Sequence, residues 1–392
     1  MKRKVLFVIH QLNFGGVQKA LINSLKLIDY SENEVTVYIR KNKIDLIDKI
    51  NENVKVIVND DNTRYDKKFG ILFLGIIERI ATVFGKSTLR KSIHNKIVEK
   101  IEQKKIKYEL KYSFNCEEQY DVAISYIQGY TAKFVIDCVN AARKYVFFHG
   151  SVDEDHELHE LIFPKFDKIY TENLGCCRVM KNIYTNISDK FSYMDNYVDY
   201  KEIRNSAQNS ISENSYDGLF ITSCGRITKV KGFDLATEAA HILKGKNIGF
   251  KWYFVGDGPD RQKIEQLILQ YGLEDNIVIT GMQKNPYTYI NACDIFVQPS
   301  YEEAFGLTIS EALILGKPVV ATKTVGATSQ IKDYENGLLC DIDGKSLAEK
   351  ISLLIKDFEL LKKMSDNLSS IDYSEEKKKY CENWKKLLDG AL

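Results

Sequence analysis

The chain alternates short apolar runs with amphipathic segments, and this alternation occurs twice along its 392 residues. The first series opens with KVLFVIH, a glycine turn and QKALINSLKLI. The second opens at Gly218 with GLFITSCGR followed by GFDLATEAAHILKG. Strands that alternate with helices form parallel sheets covered by helices. The length exceeds that of one ordinary core, so the pattern predicts an α/β protein with two Rossmann-like, doubly wound parallel-sheet domains and a cleft between them.

A polar, aperiodic segment separates the two series at 199–216, DYKEIRNSAQNSISENSY. Its Ser and Asn content is typical of a passage between domains. We therefore predict an N-terminal domain over 1–200 and a C-terminal domain over 201–371. The last segment, 372–392, has apolar side chains at helical spacing, so we expect a helix that packs back on the N-terminal domain.

Composition excludes several classes of protein. The formal charge is only +1, which argues against a nucleic-acid partner. The eight cysteines are scattered without C-x-x-C spacing, which favours small buried thiols over disulfides or zinc. The apolar run Val5–Ile9 is too short for a signal sequence, and no stretch is long enough for a transmembrane span, so we expect a cytoplasmic protein. His156 and His159 lack the H-E-x-x-H spacing of a zinc site, and we interpret them as part of a solvated acidic loop.

The segment QPSYEEAFGLTISEALILGKPVVAT contains the strongest chemical signal. Glu303 is expected in a loop after a strand, and Glu311 about one turn inside the following helix. The amides at that helix N-terminus, together with the helix dipole, form an anion site suited to a diphosphate. The backbone positions concerned are Phe305, Gly306, Leu307 and Thr308. One carboxylate can then bind hydroxyls of a sugar and the other the hydroxyls of a ribose.

Arg226 and Lys231 lie in the turn of CGRITKVKGFDL, between a buried strand and a helix. Two cations there can neutralise a diphosphate leaving group, whose charge grows as a glycosidic bond breaks. The alternative is a pair of solvated loop charges.

Three further strand ends are candidates for the same cleft. Gly15 and Gly16 follow the first strand, and Gly256 and Gly258 occupy the turn VGDGP. Neither turn is a G-x-G-x-x-G fingerprint or a Walker A loop. His149 ends the strand KYVFFH and is expected to face the crevice, with a structural histidine as the alternative.

Together these residues resemble the retaining family 4 glycosyltransferases, whose double Rossmann architecture is called GT-B. The resemblance covers nearly the whole chain and is most specific from Gly218 to Asp343, where G-R-x4-K-G, V-G-D-G-P and E-x7-E occur in the family's order. The segments FGGVQK and N-x-V-D also match. Tyr197 stands where the family usually has glycine, so the interdomain strap is expected to differ locally.

The resemblance implies a role for each motif. Arg226 and Lys231 would hold the donor diphosphate, Glu303 the hydroxyls of the donor sugar, and Glu311 the ribose. Gly15 and Gly16 would approach the phosphates, and His149 would lie beside the transferred sugar. The family needs no divalent metal and retains the anomeric configuration.

The acceptor side is where this resemblance stops, because 60–118 matches nothing in the family. Within it, 86–111 holds nine Lys or Arg against three acids, directly after the apolar stretch FGILFLGIIERIATVFG. An apolar patch beside a basic face is typical of a helix on anionic lipid, so we expect a peripheral contact with an anionic membrane through 70–111. A solvated helix pair is the alternative.

The sequence therefore predicts a retaining, metal-independent hexosyltransferase-type glycosyltransferase (EC 2.4), with a nucleotide-diphospho-sugar as co-substrate and no other cofactor. The resemblance to the family implies a UDP-sugar as the expected donor. The acceptor is expected to be a glycan, or an undecaprenyl-linked or other glycolipid, in bacterial surface polysaccharide, capsule or lipopolysaccharide biosynthesis at the inner face of the cell membrane. Three alternatives remain: a non-catalytic nucleotide-sugar-binding partner or sensor, a nucleotide-sugar epimerase, and a phosphorylase.

Overall fold

The structure, a computed structural model, describes residues 1–59, 117–150, 156–208 and 218–392. The predicted membrane-contacting segment 70–111 lies outside the described residues.

The first unit is a sheet of parallel strands in the order β3-β2-β1-β4-β5-β6-β7. β1 contains the apolar run predicted as the first strand, and its residues from Val5 to Ile9 are buried because helices cover both faces of the sheet. The strands are β1 (Arg3–Ile9), β2 (Asn33–Ile39), β3 (Lys55–Val58), β4 (Gln119–Ser125), β5 (Asn140–Phe148), β6 (Lys168–Thr171) and β7 (Phe191–Tyr193). The helices are α1 (Gly16–Leu25), α2 (Tyr130–Cys138), α3 (His156–Ile162) and α4 (Leu174–Ile183).

The second unit repeats this arrangement, with parallel strands in the order β10-β9-β8-β11-β12-β13. Its strands are β8 (Leu219–Cys224), β9 (Phe250–Val255), β10 (Ile277–Gly281), β11 (Ile295–Gln298), β12 (Val319–Thr322) and β13 (Gly337–Cys340). Its helices follow a short connecting helix, α5 (Tyr200–Ser206). They are α6 (Phe233–Gly245), α7 (Arg261–Gln270), α8 (Tyr287–Ala292), α9 (Leu307–Ile314), α10 (Val325–Gln330), α11 (Gly344–Lys356), α12 (Phe358–Ser369) and α13 (Ser374–Asp389). The predicted pair of doubly wound parallel sheets is confirmed.

Each sheet reverses its strand order at one point, between β1 and β4 in the first unit and between β8 and β11 in the second. A doubly wound sheet opens a crevice outside the carboxyl ends of its strands at such a switch point. In the second unit the loops after β8 and β11 meet there, and these are the loops that carry Arg226, Lys231 and Glu303. The topology alone therefore brings the main sequence motifs to one edge.

Helix α13 lies on the first sheet although it follows the second unit in the chain. The ring of Trp384 lies 5.8 Å from that of Phe7 and 5.7 Å from that of Phe147. Leu387 and Leu388 are buried in the same core, and Arg143 donates a hydrogen bond to the Leu388 carbonyl at 2.6 Å. The apolar side chains of this helix are therefore buried in the core of the first unit.

Two local expectations were wrong. The polar passage at 199–216 begins with a helix, α5, whose N-cap Asp199 accepts a hydrogen bond from the Glu202 amide and whose Ile203 is buried. The DEDHELHE segment is not a solvated loop over its described part: His159 lies in helix α3 and is buried, with its ring stacked 4.6 Å from that of Phe163. In both places a short amphipathic helix is difficult to recognise in the sequence because the residues around it are polar. Within the described ranges, no helix is both long enough and apolar enough to cross a membrane.

Candidate active site

The loops after β8 and β11 are locked together at the switch point of the second unit. The Tyr301 amide donates to the Val230 carbonyl at 2.8 Å. Gly232 ends the 3₁₀ turn Lys229–Lys231 with φ 66°, and a Cβ there would lie 1.9 Å from the Pro299 carbonyl oxygen. Only glycine fits this close approach in the left-handed region. The glycine of the K-G pair therefore brings Lys231 against the loop that carries Glu303.

Lys231 and Glu303 form an ion pair at this junction, with 2.6 Å between Nζ and Oε2. The side chain of Glu303 is 12% exposed and that of Lys231 is 30% exposed. Gln298, at the end of β11, donates from Nε2 to Glu303 Oε2 at 3.4 Å and accepts from the Thr308 hydroxyl at 2.9 Å. Buried Gln298 thus connects the carboxylate to the first turn of α9. Arg226 lies in the same β8 loop and is exposed.

Helix α9 begins at Leu307, and its N-cap residue is Gly306, which has φ 83° and no side chain to cap the helix. The first amides of an α-helix have no acceptor within the helix, so the start of α9 offers N–H groups and the positive end of the helix dipole. Phe305 is buried, whereas Leu307 and Thr308 are partly exposed. Glu311, one turn further on, is only 2% exposed. The backbone thus provides an anion-binding surface between the two predicted carboxylates.

The VGDGP turn supports the β8 loop from behind. A Cβ on Gly256 would lie 1.9 Å from the Gly225 carbonyl oxygen, and one on Gly258 would lie 2.2 Å from that of Ile227. The Ile227 amide donates to the Asp257 carbonyl at 3.0 Å. These close contacts explain the two glycines without a ligand, because a side chain at either position would clash with the β8 loop. The glycines allow the turn to pack against the loop that carries Arg226 and to fix its position.

The first unit faces α9 through the turn at Gly15 and Gly16. Both glycines are exposed, and a Cβ on Gly16 would lie 3.7 Å from the Leu307 side chain. Gly15 has φ 179°, an extended conformation open to any residue. Lys19, on the first turn of α1, crosses to the second unit and pairs with Glu311. Its Nζ also donates to the Tyr287 hydroxyl at 2.5 Å.

His149 follows β5 and is 8% exposed. Its backbone is held by Gln128, which accepts from the His149 amide at 3.0 Å and donates to its carbonyl at 2.8 Å. Nδ1 lies 2.7 Å from Glu172 Oε1, and Asn196 donates to the same oxygen at 3.4 Å. Nε2 is buried without a protein partner. The ring is therefore fixed through one nitrogen, and the other keeps its hydrogen-bonding capacity.

The structure brings most predicted residues to the two facing edges. Arg226, Lys231, Glu303 and the start of α9 share the β8/β11 edge, and Gly16 faces Leu307 of α9 from the first unit. Sequence reasoning missed three residues with partners at these edges: Lys19, Glu172 and Gln298. Glu172 follows the end of β6 and Gln298 ends β11, which is the signal that could have found these two, whereas Lys19 lies inside α1.

Seven cysteines lie within the described ranges as free thiols. Four of them are buried, and Cys138, Cys224 and Cys381 are partly exposed. Burial raises the pKa of Cys224 to about 12, and the nearby Glu311 carboxylate acts in the same direction. No three His, Cys, Asp or Glu side chains come together as a metal-binding group in that part of the chain.

The chain is similar in sequence and in fold to known proteins. Residues 205–370, which carry the β8/β11 edge, match the sequence profile of the family "Glycosyl transferases group 1". A 151-residue stretch is 30% identical to the lipopolysaccharide core biosynthesis glycosyltransferase LpsE of Rhizobium meliloti, covering 38% of this chain and 43% of that protein.

A second relative is the N-acetylgalactosamine-N,N'-diacetylbacillosaminyl-diphospho-undecaprenol 4-alpha-N-acetylgalactosaminyltransferase of Campylobacter jejuni. It is 28% identical over 207 residues, which cover 52% of this chain and 55% of that protein. This chain thus spans about half the length of the curated relatives it matches.

The fold extends over the full length. The structure of HepE from Anabaena, solved in complex with UDP and glucose, superposes with a TM-score of 0.73 over 99% of this chain and 100% of that one, at 17% identity. This similarity confirms the predicted GT-B architecture.

Proposed function

We propose that this protein is a retaining, metal-independent glycosyltransferase that moves a sugar from a UDP-sugar to a glycan or lipid-linked acceptor. The observation that carries the proposal is the Lys231–Glu303 pair, held at the β8/β11 switch point next to the uncapped start of α9. A cation, a carboxylate and free amides at one edge match the phosphates and hydroxyls of a nucleotide sugar.

The donor is placed by charge and hydrogen-bonding capacity. Its diphosphate binds the first amides of α9, with Arg226 and Lys231 supplying the positive charge. Glu311 accepts from the ribose hydroxyls, and Glu303 from hydroxyls of the sugar. His149 reaches the sugar from the first unit through Nε2, the nitrogen left without a protein partner. In HepE, UDP and glucose occupy the same fold, which supports a uridine donor.

The chemical step breaks the bond between the sugar C1 and the diphosphate oxygen and forms a bond from C1 to an acceptor oxygen on the same face. The acceptor hydroxyl gives its proton to the leaving diphosphate, which departs with the bonding electron pair. Negative charge on the diphosphate grows along this path. Lys231, Arg226 and the helix N-terminus therefore stabilise the transition state more than the bound donor.

The acceptor is proposed from the relatives rather than from the site. The matched proteins build lipopolysaccharide core and a diphospho-undecaprenol glycan. By analogy this chain builds a surface glycan at the inner face of the cell membrane, which it meets through 70–111. Co-sedimentation with anionic vesicles at low salt tests that contact, and its absence would refute the membrane part alone.

The donor proposal is tested by nucleotide release from a panel of UDP-, GDP- and ADP-sugars with EDTA present. The native protein is compared with Lys231→Ala and Glu303→Ala, and with Lys323→Ala as a matched control, since Lys323 forms an exposed ion pair with Asp341 far along the chain. We expect release from a UDP-sugar that EDTA leaves unchanged. Removing one group that meets developing charge typically costs about 10²–10³ in rate.

Each other outcome points to an alternative. Tight binding of a nucleotide sugar without transfer or release would favour the binding partner or sensor. Release together with a changed free sugar and no acceptor requirement would favour an epimerase. If no nucleotide sugar binds, the transferase proposal is wrong.

A further inference from the structure

Lys19 is a cation of the first unit that reaches a carboxylate of the second. It lies three residues after Gly16, on the helix whose start faces α9. Its ammonium forms an ion pair with Glu311 and donates to the Tyr287 hydroxyl at 2.5 Å. The ammonium also lies 4.8 Å from the centre of the Tyr287 ring. These contacts connect α1 with α9 and α8 across the cleft between the two sheets.

Glu311 needs such a partner because its side chain is 2% exposed. A buried carboxylate without a cation is costly and tends to take up a proton. Lys19 is its ion-pair partner in the described part of the chain. Burial by itself would lower the pKa of Lys19, but Glu311 and Tyr287 outweigh this and raise it, so the ammonium stays charged.

The ion pair leaves part of the carboxylate unused. Lys19 is paired with Oε1 of Glu311, and no other ion pair of Glu311 occurs among the described residues. An ionised carboxylate has about four lone-pair sites, so Oε2 keeps acceptor capacity for two adjacent hydroxyl groups. The Lys19 ammonium on Oε1 fixes the rotamer of Glu311 and thereby the direction of Oε2.

We propose that Lys19 is a positioning residue of the donor site: it holds the Glu311 carboxylate in the orientation that accepts the two ribose hydroxyls of the nucleotide. This inference rests on the proposed function. It also makes ribose recognition depend on both units, because the carboxylate is correctly held only when α1 lies against α9. Lys19 does not need to touch the donor for this role.

The test compares binding of UDP with that of 2′,3′-dideoxy-UDP, which lacks both ribose hydroxyls, by isothermal titration calorimetry. The native protein is expected to prefer UDP by about tenfold or more, the contribution typical of hydrogen bonds to a charged group. In Lys19→Met this preference should fall towards one, with UDP weakened and the dideoxy compound unchanged. Glu311→Gln should do the same, and the double variant should lose nothing more.

Three further variants separate positioning from misfolding. Lys19→Arg should keep most of the preference. Tyr287→Phe removes one of the hydrogen bonds of the ammonium and should reduce the preference by about fivefold at most. Lys133→Ala, which breaks an i,i+4 pair with Asp137 on α2, should leave both affinities unchanged.

Two results would overturn the inference. Equal weakening of UDP and its dideoxy analogue in a folded Lys19→Met variant would mean that Lys19 acts on the phosphates or on the fold. Unchanged preference in that variant would mean that Glu311 is positioned without it. If the native protein binds none of UDP, GDP and ADP, the proposed function itself fails and Lys19 loses its role with it.

Discussion

The attachment of α13 to the first sheet can be tested by deleting one buried contact. Leu387 is completely buried in the first unit's core, beside Trp384. Truncating it to alanine removes the transfer free energy of its side chain and leaves a cavity, which together cost about 2–5 kcal/mol. We expect this loss in the free energy of unfolding of the first unit.

The two tryptophans make the assay specific to each unit. The chain has only Trp252 and Trp384, and both are buried, one in each core. In a Trp252→Phe background the fluorescence of Trp384 reports the first unit, and in a Trp384→Phe background Trp252 reports the second. Separate probes are needed because a two-domain chain does not unfold in a single two-state step.

In urea, Leu387→Ala should lower the midpoint reported by Trp384 by about 1–2 M, since m is about 1–3 kcal/mol/M. The midpoint reported by Trp252 should move much less. Lys378→Ala, an exposed change on the same helix, should alter either free energy of unfolding by less than about 0.5 kcal/mol. A Trp384 midpoint that moves by no more than this control would refute the packing of α13 on the first sheet. Equal shifts at both probes would show that the two units unfold together.

Three more predictions concern the site. Gly232→Ala should lower the free energy of unfolding of the second unit, measured in urea, by at least about 1–3 kcal/mol, because φ is 66° and the new Cβ would lie 1.9 Å from the Pro299 carbonyl oxygen. Gly245→Ala is the control and should not destabilise the unit, because no atom lies within 4 Å of its new Cβ. Cys224 is partly exposed but should resist iodoacetamide from pH 7 to 10 by mass spectrometry of the folded protein, because desolvation raises its pKa to about 12 and keeps the thiol neutral over that range; fast labelling would contradict this raised pKa. Glu172→Ala should lower kcat/KM for the donor about tenfold by releasing Nδ1 of His149, with Glu172→Gln less affected; equal activity would show that the 2.7 Å contact does not position the ring.

Sequence patterns predicted the elements that depend on local chemistry. The buried first strand, the turn at Gly15 and the strand before Gln298 are contiguous runs whose apolar residues and glycines specify their own conformation. The same holds for the position of Glu303 before α9 and of Glu311 inside it, because a helix start is marked by a few neighbouring residues. Parallel sheets then place strand ends at one edge, so the meeting of Lys231 with Glu303 also follows from topology.

Other features depended on contacts between distant residues. Lys19 and Glu311 are 292 positions apart, and their pairing requires the two sheets to face each other in one orientation. The contact of His149 with Glu172, the packing of α13 on the first sheet and the burial of His159 also depend on residues that are apart in the chain, but these contacts lie within the first unit. A charged or aromatic residue has no local signal for the surface that will cover it, because burial is set by the whole chain. The sequence by itself determined the strands, the turns and the residues proposed to bind a nucleotide sugar. Only the tertiary structure decided which of those residues are neutralised, oriented and buried by contacts with residues distant in the chain.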